Sequence, residues 1–148
     1  FAITKNGTNP VCAAWSTFTQ TPATEKALQT IVQGIRTGGS ISPIAISGQT
    51  QFQFLGAKPG TAFTELQSLY KSRKDPKTGD WLTVVTVYDR GTCATATGQA
   101  RIVGFATVKL NQTSSTQLSA TIVTNQIQVG RGGGPDYGTK GSIPGLVN

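Results

Sequence analysis

Apolar residues recur along this chain with two different periods, and the change of period marks its elements. Ala27, Leu28, Ile31, Val32 and Ile35 form the stripe of an amphipathic helix. Thr21-Pro22 reads as its N-cap and first helical position, and Gly38-Gly39 as its end. After a break at Lys58-Pro59-Gly60, Phe63, Leu66, Leu69 and Tyr70 repeat the helical spacing, with Thr61 as the cap. Between these helices, Ile41 to Ser47 and Gln51 to Leu55 read as two short strands in a hairpin across Gly48-Gln49-Thr50, with Pro43 at an edge or at the strand's start.

Three longer strands follow. Trp81 to Asp89 (WLTVVTVYD) is apolar on both faces, the pattern of a central strand covered on both sides. Ala100 to Leu110 sets Ile102, Gly104, Ala106, Val108 and Leu110 against Arg101, Val103, Phe105, Thr107 and Lys109, and Leu118 to Val129 alternates more weakly. The polar connection from Asn111 to Gln117 makes these last two strands antiparallel neighbours. Residues 1–20, interrupted by Asn6-Gly7 and Asn9-Pro10, read as an irregular or edge-strand arm anchored by Val11, Trp15 and Phe18. The expected fold is α+β: a mainly antiparallel β-sheet with one or two helices packed on it and extended termini. A single domain spans 1–148, with its core over 21–129 and a Gly-rich tail over 130–148.

Composition adds a compartment. Only 13% of the 148 residues are charged, and Thr, Ser, Gln and Gly supply most of the polar surface. That balance suits β-structure in a secreted or cell-surface protein. The apolar runs are far shorter than the roughly twenty residues of a membrane span, and no signal peptide is visible, so export requires a targeting segment removed from or lying outside this chain. Cys12 and Cys93 are too far apart for a CxxC redox or zinc motif. A disulfide tying the N-terminal segment to the loop after the Trp81 strand is expected, with two buried free thiols as the alternative.

Chemistry-bearing patterns are sparse. The chain has no His, which removes the commonest general base and zinc ligand along with the Ser-His and Cys-His arrangements. Its six carboxylates, Glu25, Glu65, Asp75, Asp80, Asp89 and Asp136, form no paired motif, so no catalytic residue, cofactor or metal is expected. The loop Asp75 to Asp80 reads as a plain turn rather than a calcium site, and Gly130 to Pro135 lacks the Gly-Lys-Ser/Thr of a phosphate loop. Trp15, Trp81 and Tyr88 read as packing residues, the last two on opposite faces of one strand. The net charge of +7 suits anionic partners, and Lys71, Arg73, Lys74 and Lys77 are the candidate anion-binding cluster. A turn after a helix is the simpler account of them, and with Tyr70 the one aromatic nearby no specific nucleic-acid binding is expected.

VVTVYDRG, RIVGFATVKL, SATIVTNQIQV and the late GPDYG together resemble the C-terminal extracytoplasmic region of the TadE/TadG-like proteins of tight-adherence (Flp) pili, over about residues 81–138. The resemblance implies a bacterial surface protein, membrane-anchored or secreted, without catalytic residues. The expected function is a non-enzymatic structural subunit of an extracellular filament, pilus-associated appendage or surface assembly. Its partners are copies of itself, joined through strand edges and the arms at 1–9 and 136–148. The alternative is a secreted adhesion module for anionic polysaccharide or another anionic surface.

Overall fold

A computed structural model describes residues 2–4, 7–9, 13–39, 43–56, 58–90, 95–123, 126–128 and 139–141. The first helical stripe forms α1 (Glu25–Thr37), which buries Leu28, Ile31 and Val32. Its N-cap is Thr24 rather than Thr21. Thr24 is extended and its hydroxyl accepts the Ala27 N–H at 3.1 Å, whereas Thr21-Pro22 is a cis peptide in the bend before the helix. The residue whose side-chain oxygen reaches the first-turn N–H groups fixes the start. α1 ends at Gly38, whose φ of 79° is left-handed and costs a glycine no Cβ clash.

The second stripe forms α2 (Ala62–Arg73), burying Ala62, Phe63, Leu66, Leu69 and Tyr70. Thr61 stands before it but is already helical, and its hydroxyl makes no cap bond. Glu25 substitutes: its carboxylate accepts the Thr61 N–H at 3.4 Å. Gly60 leaves the space for that carboxylate, which a Cβ at this position would strike. One acidic side chain thus serves the positive ends of both helices.

Seven strands make the main sheet: β1 (Ala2–Thr4), β2 (Gly7–Asn9), β3 (Trp15–Phe18), β4 (Gln51–Gly56), β5 (Trp81–Tyr88), β6 (Gly98–Ser114) and β7 (Gln117–Val123). Their order is β2-β1-β7-β6-β4-β3, with β5 also paired to β6, and every pairing is antiparallel. The fold is therefore the expected α+β. Two further strands, β8 (Gln126–Gln128) and β9 (Thr139–Gly141), pair with each other in parallel.

β6 organises the sheet. Thr107 to Leu110 pair with β5 and β7 at once, so those strands flank β6 on opposite sides. β4 follows β7 along the same side, because Gln51 pairs with Arg101 while the Asp89 N–H, just past β5, bonds the Arg101 carbonyl. The β6–β7 hairpin turns tightly at Ser115-Thr116 instead of looping from Asn111. Asn111, Gln112 and Ser114 are drawn into the ladder opposite Ser119, Leu118 and Gln117.

A β-bulge changes which side β6 presents. The β5–β6 register runs from Trp81↔Leu110 to Val87↔Gly104 and then slips to Tyr88↔Ile102, leaving Val103 as the extra residue. Val108 and Leu110 pack with the helices, Leu118 and Ala120 in one core cluster. Ala100 and Ile102 join Phe52, Phe54, Ala45 and Ala96 in another, against which Tyr88 and Phe105 pack. Alternation places Tyr88 and Phe105 on the face away from the helices. The two clusters therefore occupy opposite faces, and the extra residue is what carries β6 from one to the other.

Three further sequence expectations change. Residues 43–46 form no strand: Pro43 lacks an N–H, and Ile44 and Ile46 are exposed. The following turn instead bonds Ile102 of β6 through Gly48 N–H and the Thr50 carbonyl. Among the described residues β5 is not a central strand but lies at the sheet's edge, with Leu82, Val84 and Val85 exposed. The described parts of the two arms pair within the chain, β1 between β2 and β7, and β9 with β8. No helix among the described residues is long and apolar enough to cross a membrane.

Candidate functional site

Lys71, Arg73, Lys74 and Lys77 are all exposed, strung along the last turn of α2 and the turn that follows it. The Arg73 guanidinium donates to the Ile35 carbonyl at 3.4 Å, tying α2 to the end of α1. The carboxylate within this stretch is used locally, since Asp75 accepts the Lys77 N–H at 2.6 Å and the Thr78 N–H at 3.2 Å. That is an Asx-type turn.

The remaining carboxylates in view are held in ion pairs or caps. Arg36 meets Glu65 at 3.3 Å, Arg101 meets Asp89 at 2.8 Å, and Lys109 meets Asp80 at 3.5 Å. The Asp89–Arg101 pair lines an open, polar depression of about 300 Å³ together with Gln51, Arg90 and Gln99. Among the described residues no three of His, Cys, Asp or Glu group as metal ligands would. Trp15 and Trp81 flank the helix-side cluster and Tyr88 the opposite one, its ring centroid 5.0 Å from that of Phe54. Burial raises the Tyr88 pKa above the ordinary 10.0, against the lowering effects of a backbone hydrogen bond with Ala96 and the Arg90 charge. Asn111 donates its side-chain amide to Asp80 at 2.7 Å. Cys12 and Cys93 lie outside the described residues.

What stands out is the edge of β5. Trp81 to Tyr88 contains no Pro, no Gly and no charge, and its eight residues pair with β6 along one side. Among the described residues no strand takes its other side. Leu82 and Val84, opposite Lys109 and Thr107, share the face away from the helices, and Leu82 is 49% exposed. Val85, opposite Ala106, is exposed on the helix side at 37%. Charges stand only outside the strand's ends, Asp80 before it and Asp89 and Arg90 after it.

Natural edge strands are commonly short, or carry Lys or Pro, or twist away at a bulge. β5 has none of these, and the bulge beside it sits in β6. The sequence reading singled out the basic cluster and missed this edge, although the signal was present. An uninterrupted apolar run is ambiguous between a strand buried by its own chain and one buried by a neighbour. No protein-family model, curated protein or solved structure matches this chain.

Proposed function

We propose that this chain is a non-enzymatic structural subunit of an extracellular bacterial filament, pilus-associated appendage or surface assembly, and that copies join through the open edge of β5. One observation carries the reading: a strand with the composition of a sheet interior has, among the described residues, a strand neighbour on one side. An edge strand offers backbone N–H and C=O groups to a further strand, and the exposed Leu82, Val84 and Val85 favour such an addition here. Among the described residues the main sheet also ends at β2 and β3. A subunit with edges on opposite sides has what growth beyond a pair requires. The low charge density and Thr-rich surface support an extracellular setting. The pairing of β1 and β9 within the chain moves the weight of the proposal from the arms to this edge.

Sedimentation velocity over a concentration series, with negative-stain imaging of the concentrated sample, tests the proposal. Reversible growth into dimers and longer species is expected. A sharp monomer throughout, at up to millimolar concentration, overturns it. The exposure of Lys71, Arg73, Lys74 and Lys77 favours a second reading, adhesion to anionic polymers. Salt-sensitive retention on such a polymer, lost on reversing Lys71, Arg73 and Lys74, is its mark.

A further inference from the structure

We propose that the partner of β5 is β5 of a second copy, paired antiparallel about a two-fold axis through Val85. This rests on the self-association proposed above and specifies its first contact.

The strand's own alternation restricts the geometry. A two-fold axis perpendicular to the sheet keeps each side chain on its face, so residues that pair across it must share a face. Antiparallel registers in which the two residue numbers sum to an odd value are thereby excluded, including the one that sets Asp80 opposite Asp89 of the other copy. The longest remaining registers are centred on Val84 or Val85. Centring on Val84 places Asp80 opposite Tyr88 and leaves Arg90 without an acidic partner. Centring on Val85 places Asp80 opposite Arg90 at both ends, Leu82 opposite Tyr88, Val84 opposite Thr86, and Val85 opposite itself.

Charge complementarity therefore selects the second. Two symmetric ion pairs bracket a span whose one charged residue, Asp89, falls opposite Trp81 and already pairs with Arg101 of its own chain. Asp80 already accepts from Asn111 and faces Lys109, yet a carboxylate has about four acceptor positions and room for a guanidinium. Arg90 is exposed and donates to the Thr97 carbonyl at 3.2 Å, so its other N–H groups are available to a second acceptor. In a self-complementary contact, each substitution acts twice.

Asp80→Arg and Arg90→Asp test the pairing in the full-length chain. Each variant alone brings like charges together at both ends, and dimerisation should weaken by roughly tenfold or more. Mixed one to one, they restore both ion pairs and should dimerise with each other as the parent chain does with itself. Val85→Cys adds a readout independent of charge, because residues on the axis lie close enough to cross-link under mild oxidation, while Val84→Cys should cross-link far less. Circular dichroism confirms that each variant is folded. If the parent chain assembles but both charge variants assemble equally well and Val85→Cys fails to cross-link, the β5 pairing is wrong while self-association stands. If the parent chain is monomeric throughout, both fail.

Discussion

Two tyrosines carry much of the polar logic of the core, and each makes a separate expectation. The Tyr70 hydroxyl, buried with the helix-side cluster, donates to the Gly79 carbonyl and accepts the Gln112 N–H at 3.1 Å. It thereby fastens α2, the turn before β5 and the end of β6 to one point. Tyr70→Phe keeps the ring but strands both backbone partners, and should cost about 1–3 kcal/mol in urea unfolding. Tyr88 reports through pH instead. Because burial raises its pKa, the folded chain holds the phenol proton more tightly than the unfolded chain does. That contribution is intact below about pH 10 and disappears as pH rises through the folded value. The stability difference between the parent and Tyr88→Phe should be flat up to that point and then shift against the parent, as chemical denaturation at alkaline pH will read.

At the level of elements, helices were legible to within a few residues because their stripes are dictated by local spacing. The start of α1 was the exception: Thr21-Pro22 has the right residue types, but Thr24 has the geometry. Thr24→Ala should lower stability by about 1 kcal/mol, and Thr21→Ala by far less, in paired thermal or denaturant melts. Strands were legible as strands and misplaced as neighbours. Trp81 to Tyr88 advertises burial on both faces, and sequence cannot say whether the cover belongs to the same chain. The phase change in β6 was equally hidden, since Ile102 and Val108 are both even-numbered and read as one face. A single extra residue at Val103, visible only in the register with β5, separates them. The basic cluster was found by counting charges, whereas the apolar run of β5 signals burial without saying whether its own chain or a neighbour supplies the cover.

At the scale of the whole molecule, two apolar clusters on opposite faces of one sheet need something to hold the N-terminal residues to the second of them. Ala14 packs against that cluster and Ala96 lies fully buried within it, 82 positions later in sequence. Each is separated from a cysteine by a short step, Ala14 from Cys12 and Ala96 from Cys93. A disulfide between Cys12 and Cys93 would close a loop of about eighty residues, and the chain-entropy account gives such a link about 4 kcal/mol. The expected outcome is a chain that resists thiol alkylation until reduced and loses roughly that much stability on reduction. Intact mass before and after reduction decides it, through two hydrogens gained. Two thiols that alkylate freely in the unfolded, unreduced chain would mean that packing around Ala14 and Ala96 alone holds the ends of this loop together. Reduction also bears on assembly, because β5 ends at Tyr88, in the cluster that the bond would brace. If an ordered second cluster sets the end of the β5 edge, reduced protein should self-associate more weakly than oxidised protein at the same concentration, measured by sedimentation in parallel samples.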